Sequence, residues 1–204
     1  MREAGRLRVG AELGGVGAKT NETSQLTSYR GKKVAVAGLY PSAVLIPLRE
    51  GSSGLEVVFT LRPANLSTHG GQVSFPGGRV EASDEDRWDT ALREMEEELG
   101  VASHDIERLG VIDDYRTITH YHVTPCVGLV SPTATFTPAP AEVEEVFTIP
   151  LATFRDPARI RTMRSTRGGD SERIWFYLTS PHIVWGATAA MLTNLLEVLE
   201  PAVE

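Results

Sequence analysis

The sequence predicts a mixed α/β domain. Apolar runs of strand length follow one another along the chain, and two segments whose apolar residues recur at spacings of three and four interrupt them. Strands alone would suggest a sandwich; two well-formed helices argue for layered α/β architecture instead. With 204 residues, 41% of them hydrophobic, the chain is long enough for one domain with a real core and short for two.

From Met1 to about Lys33 glycine and small polar residues predominate, no apolar period is sustained, and the stretch ends in the turn-like SYRGKK. This predicts a loosely ordered arm over residues 1–35, with the domain over residues 36–204. AVLIPL (43–48) and LEVVFTLR (55–62) then flank the turn-forming GSSG as a hairpin. The glycine-rich STHGGQVSFPGG leads into a helix expected over 84–100, where Trp88, Ala91, Leu92, Met95 and Leu99 share one face. Ser83 or Asp84 is its expected N-cap and Gly100 its stop. Strands are expected at 106–112, 122–130 and 144–149, and a short helical turn at 150–155. Residues 159–163 and 173–179 read as another strand pair across STRGGDSE, and a last helix runs over 185–199, ended by Pro201.

Composition excludes several classes. The net charge of -7 provides no basic footprint for wrapping nucleic acid or docking on an anionic membrane, although a small nucleotide can still be held locally. The single cysteine, Cys126, lies in the apolar run YHVTPCVGLV and reads as a buried thiol suited to a reducing compartment. No apolar stretch reaches the roughly 18 residues of a membrane span, and the polar start MREAGRLRVGAELGG lacks a signal-peptide core. These features predict a cytoplasmic protein with neither nucleic acid nor membrane as partner.

The chemistry is concentrated in REMEEELG, 93–100. Glu94 and Glu97 are three apart and Glu94 and Glu98 four apart, so their carboxylates project to one side of the helix. A solvated acidic face balanced by Arg87 and Arg93 is the plain explanation for such a run. Here, however, GGQVSFPGGRVE precedes the helix, with glycines that permit tight turns and close backbone approach, and the opposite helix face is apolar enough to anchor it. Hard oxygen ligands at fixed spacing suit Mg2+ or Mn2+.

The stretch GRVEASDEDRWDTALREMEEELGV, 78–101, resembles the Nudix box, written Gx5Ex7REUxEExGU with U a bulky aliphatic residue. Arg93, Glu94, Met95, Glu97, Glu98, Gly100 and Val101 match it. The first half departs: the early glutamate falls at Asp84, with eight residues rather than seven before Arg93. VFTLRPANLSTHGGQVSFPGG, 58–78, is similar to the signature of the coenzyme A pyrophosphatase branch at Thr60, Arg62, Gly71, Phe75, Pro76, Gly77 and Gly78. Pro63 and Ser67 depart from it, Ser67 replacing an arginine.

The resemblance implies a Nudix-type α/β/α sandwich with a mixed β-sheet. It also implies metal-dependent hydrolysis of a diphosphate linkage, which for coenzyme A yields 3',5'-ADP and 4'-phosphopantetheine. By motif position Glu94, Glu97 and Glu98 hold the metal, together with the carbonyl of Gly77. A general base is expected after the box, at Glu142 or Glu145 in AEVEEVF. Arg62 is expected to fork onto phosphate and Gln72 to hydrogen-bond nearby, while Arg79 and Arg116 are expected to reach the 3'-phosphate. Arg93 pairs with a box carboxylate. His69, His120 and His122 show no zinc spacing and read as structural, and Trp175, Phe176, Tyr177 and Trp185 as core or rim aromatics. Other diphosphates (ADP-ribose, NADH, a nucleoside triphosphate) remain alternative substrates, and a non-catalytic sensing module is the rival from another class. A homodimer through the N-terminal arm is allowed but not required.

Overall fold

The computed structural model describes residues 25–28, 32–35, 38–66, 68–167 and 170–199. The central sheet is organised by one parallel pairing. Strand β3 (Tyr40–Gly51) runs alongside β9 (Tyr121–Val130), from Tyr40↔Tyr121 to Leu48↔Leu129. Ala43, Leu45, Ile46 and Leu48 of β3 are fully buried, the continuous apolar run of a strand covered on both faces. The far half of β3 pairs antiparallel with β4 (Gly54–Leu61), which the two-residue turn at Ser52 and Ser53 returns as a hairpin. Its near half pairs with the short β6 (Gly77–Arg79). On the outer side of β4 lies β10 (Glu145–Pro150), while β5 (Val73–Ser74) pairs with the same end of β4 on its other edge, the one that faces β3, and on the outer side of β9 lie β7 (Ile106–Val111) and β8 (Tyr115–Arg116). All these pairings but β3–β9 are antiparallel, so the sheet is mixed.

A helix covers each face. Helix α1 (Arg87–Leu99) lays Ala91, Leu92, Met95 and Leu99 on Ala43, Leu45, Val58, Cys126 and Val130. Truncating a buried leucine such as Leu99 to alanine typically costs about 2–5 kcal/mol. Helix α2 (Gly186–Val198) packs Leu192 and Leu195 with Ile46, Leu48, Phe59, Val127 and Leu129 on the other face. Buried polar groups on this side find partners: Tyr177 Oη lies 2.8 Å from Thr193 Oγ1, and Asn194 accepts the Asp113 amide at 3.0 Å. The result is the expected α/β/α arrangement. A second sheet, β11 (Ile160–Arg167), β12 (Asp170–Tyr177) and β13 (Val184–Trp185), leads into α2.

Cys126 is buried and donates to the Arg87 carbonyl at 3.8 Å; burial pushes its thiol up to about 12, so it is inert. No helix among the described residues is long and apolar enough to cross a membrane.

Several expectations need correction. The N-cap of α1 is Asp86, whose side chain accepts the Asp89 amide at 3.0 Å, not Ser83 or Asp84. Asp84 is drawn instead into contacts with Arg93 and Thr90, and the helix begins three residues later than expected. Gly100 does end it, in the left-handed region at φ 67°, with its amide donating to the Glu96 carbonyl. Strands β5, β6, β8 and β13, each two or three residues long, went unread because a period needs more residues to show. The division into an arm over residues 1–35 and a domain over residues 36–204 stays an expectation; within that arm β1 (Gln25–Ser28) pairs antiparallel with β2 (Lys32–Ala35). A local ladder satisfies backbone groups that a loose chain would leave to water. The remainder of that arm and Pro201 lie outside the described residues.

Candidate functional site

The site forms where β6 meets α1. Arg93, in the second turn of the helix, is the hub of a network of ion pairs. Its Nε and Nη2 donate to Asp84 at 3.1 and 3.2 Å, its Nη1 to Glu94 and Glu97 at 3.0 Å each, and Nη2 also to the Arg79 carbonyl. Asp84 receives further hydrogen bonds from Thr90 Oγ1 and the Glu81 amide. The Arg93 guanidinium leads these in holding the Asp84 carboxyl down at about 2, and Asp84 in turn raises Arg93 above its ordinary value. This web anchors the loop before α1, and with it the strand β6, to the carboxylate-bearing face of the helix.

The carboxylates differ in environment. Glu98 is 2% exposed and accepts the Gly77 amide at 3.3 Å. Burial, reinforced by the charges of Glu94 and Glu142, pushes it up to about 7 against the opposing pull of the Gly77 amide and Arg62. Glu94 is also raised, first by burial and then by Glu97 and Glu142, with Arg93 opposing. A Cβ at Gly78 would run into the Glu94 carboxylate, so any larger residue there would have to push that carboxylate aside. Glu97 is 55% exposed and is held by Arg93. Glu94 and Glu98 are therefore the two that confront the glycine turn. The contact Gly77 makes with Glu98 is through its amide; its carbonyl as a metal ligand stays a proposal.

Arg62 stands at the end of β4. Its backbone is locked into the following loop, with its amide donating to the Gln72 carbonyl and its own carbonyl accepting from Gly71, both at 3.0 Å. Its side-chain Nε is buried without a hydrogen-bond partner among the described residues, and its charge acts on Glu98. Gln72 Oε1 lies 3.0 Å from His69 Nδ1. Arg79 is exposed on β6, with its guanidinium 4.4 Å from the Tyr40 ring centroid and Nε and Nη2 donating to Tyr121 Oη at 3.1 and 2.8 Å. Arg116 is exposed on β8, opposite His122 in register. His122 Nε2 lies 3.3 Å from Asp114 Oδ2.

The two glutamates expected after the box fall in different places. The chain at 137–139 docks on the end of α1, where the amides of Thr137 and Ala139 donate to the carbonyls of Leu99 and Glu98 at 2.7 and 2.8 Å. Glu142 follows this docking and its charge is felt by both Glu94 and Glu98. Glu145, opposite Leu61 on β10, instead lies 2.7 Å from His182 Nε2. Sequence reasoning did not find His182 or the Tyr40–Arg79–Tyr121 cluster; both depend on contacts between residues 37 to 81 positions apart, for which no local signal exists.

Two carboxylates, both raised first by burial and further by neighbouring glutamates, beside a glycine turn, are a hard-oxygen donor set that suits a divalent cation. Among the described residues no three His, Cys, Asp or Glu side chains are gathered closely enough to cage an ion unaided.

Residues 39–166 match the family model of the NUDIX domain. Over 155 residues the chain is 38% identical to a protein of Escherichia coli K12 described as "Uncharacterized Nudix hydrolase NudL", covering 76% of this chain and 80% of that one. The Citrobacter koseri protein of the same description is 37% identical over the same coverage. Among solved structures, the Mycobacterium smegmatis Nudix hydrolase RenU aligns over 90% of this chain and 99% of its own, with a TM-score of 0.55 and 17% identity, a likeness of fold.

Proposed function

The chain belongs to the NUDIX family and is a hydrolase that cleaves the pyrophosphate linkage of a nucleoside diphosphate derivative, and on that premise we propose that its substrate is coenzyme A or a derivative. The products are then 3',5'-ADP and 4'-phosphopantetheine, or the acylated form of the latter. The observation that carries this reading is Arg62: a guanidinium with a buried, unpartnered Nε, in the signature 58–78, whose charge acts on the buried Glu98. A forked cation next to a carboxylate pair suits a diphosphate brought in with its counter-ion.

A divalent cation, Mg2+ or Mn2+, would be held by Glu94, Glu98 and the Gly77 carbonyl, with Glu97 released from Arg93 to join them, and would neutralise charge on the diphosphate oxygens. The chain's own groups do the rest. Arg62 orients the diphosphate, and Gln72 adds a neutral hydrogen bond. Glu142 takes the proton of the attacking water as its oxygen bonds to phosphorus and the bridging P–O bond breaks, so that each half of the substrate leaves with one phosphate of the former diphosphate. Glu145 is the second candidate for that proton. Arg93 keeps Glu94 aimed. Arg79, presented by the two tyrosines, and Arg116 receive the 3'-phosphate. Ser67, in place of an arginine, favours a different nucleoside diphosphate derivative as the second reading. We place the protein in the cytoplasm, in keeping with its one buried thiol.

The test is product analysis after incubation with coenzyme A and Mg2+ or Mn2+. Equal amounts of 3',5'-ADP and 4'-phosphopantetheine support the reading; intact coenzyme A at both metals overturns it.

A further inference from the structure

We propose that the pocket between β5 and the β12–β13 sheet receives the uncharged arm that the substrate carries on the far side of its diphosphate. This rests on the preceding reading of the chain as a diphosphate hydrolase. The pocket, a groove open to solvent of about 450 Å3, has Gly71, Val73, Phe176, His182, Ile183 and Trp185 among its lining residues. That volume falls in the range of about 300–1,000 Å3 typical of small-molecule sites. Phe176 and Trp185 stack with ring planes 5° apart and centroids 6.0 Å apart, while Ile183 and Trp185 are 48% and 41% exposed. Among the described residues no arginine or lysine lines it. Its one ionisable wall, His182, is engaged by Glu145 and rests on the Phe147 ring. Such walls reject phosphate and accept apolar or amide-bearing groups.

Position decides the occupant. Gly71 and Val73 form one wall, and the same short segment binds the Arg62 backbone through Gly71 and Gln72. The pocket therefore starts within a few residues of the guanidinium assigned to the diphosphate. Thr188 Oγ1 donates to the Val73 carbonyl at 3.0 Å and fixes that wall to α2. The cationic cluster at Tyr40, Arg79 and Tyr121 suits the charged nucleotide half. The apolar pocket is left to the other arm, which in coenzyme A is the amide-linked pantetheine chain.

The test compares two ADP esters on the full chain with Mg2+, one ending in a methyl group and one in an N-butyl amide chain. The wild type should favour the long-armed ester about tenfold in kcat/KM, through KM, as expected for two buried methylenes. Trp185→Ala and the exposed-site variant Ile183→Ser should each reduce that ratio to near one, and Trp185→Phe should keep it. A wild-type ratio near one, or a ratio untouched by both Trp185→Ala and Ile183→Ser, overturns the proposal. If neither ester is hydrolysed, the hydrolase reading fails while the pocket is still judged by the Trp185 indole N–H resonance, assigned by its loss in Trp185→Phe. A shift with the long-armed ester alone supports the pocket; no shift, or an equal shift with both esters, overturns it.

Discussion

Arg93 grips Asp84 through both Nε and Nη2, at 3.1 and 3.2 Å, while the Asp84 side chain is only 4% exposed. This bond spans the one-residue-longer stretch before the helix and explains how the box keeps its geometry with a shorter acid there. Asp84→Ala should destabilise the protein by about 2 kcal/mol, less than orphaning a buried charge, because Arg93 retains Glu94. Chemical denaturation checks this. The Asp84 carboxyl is held near 2 rather than 3.8, so its contribution is present above about pH 4 and lost as pH falls through about 2. The variant should accordingly show a shallower acid transition in that window; an unchanged transition would mean that the ion pair does not anchor the loop.

Glu98→Gln should lower kcat by at least about 100-fold, the scale seen when one preorganised electrostatic group is removed. The fold should survive, since a neutral amide is easier to bury than a carboxylate. Circular dichroism and turnover measured on the same preparation separate the two effects. Near-normal turnover would remove Glu98 from the site.

The same residue sets a pH dependence in metal-free protein. Its folded value, about 7, lies above the 4.5 of an ordinary glutamic acid, so the native state holds the proton more tightly. Stability contributed by this proton is full below about pH 4.5 and is lost as pH rises towards 7, an effect of a few kcal/mol at most. Midpoint denaturant concentration measured from pH 5 to 7.5 should show this fall, and Glu98→Gln should remove it. Added Mg2+ should stabilise more at pH 7.5 than at pH 5, because it competes with the proton; stabilisation independent of pH would contradict the metal assignment.

Arg62→Ala should reduce kcat/KM by about 100-fold, as loss of a charge-assisted hydrogen bond of up to 3 kcal/mol implies. Its Nε has no hydrogen-bond partner to lose among the described residues, so the melting temperature should move little. A large drop in melting temperature with a small kinetic effect would recast Arg62 as structural support.

Glu142→Gln should slow turnover far more than Glu145→Gln, since only Glu142 bears on Glu94 and Glu98 while Glu145 is taken up by His182. The kcat of each variant across pH 6 to 9 decides between them, and the reverse order would return the base to Glu145.

The helix and its carboxylates were legible because a 3.6-residue period and a contiguous motif both lie within 93–101. Strands β3, β4, β9 and β10 were legible as apolar runs of six residues or more. Their order was not: the parallel pairing of β3 with β9 joins residues 81 apart and leaves no local trace. The N-cap was misplaced because the sequence offers several acids, and only the folded contacts of Asp84 with Arg93 and Thr90 assign the cap to Asp86. Likewise AEVEEVF does not reveal that Glu142 and Glu145 have different surroundings, which follow from the docking of Thr137 and Ala139 on the end of α1 and from the contact of Glu145 with His182.

The most direct test is a competition of substrates: purified protein with Mg2+ or Mn2+ and equal concentrations of coenzyme A, dephospho-coenzyme A, ADP-ribose, NADH and dGTP, with products separated by chromatography. The account predicts that coenzyme A disappears first, as 3',5'-ADP and 4'-phosphopantetheine, and only when metal is present. Faster cleavage of another compound would contradict the coenzyme A assignment while sparing the hydrolase, and no cleavage of any would contradict the catalytic reading of the glutamate helix.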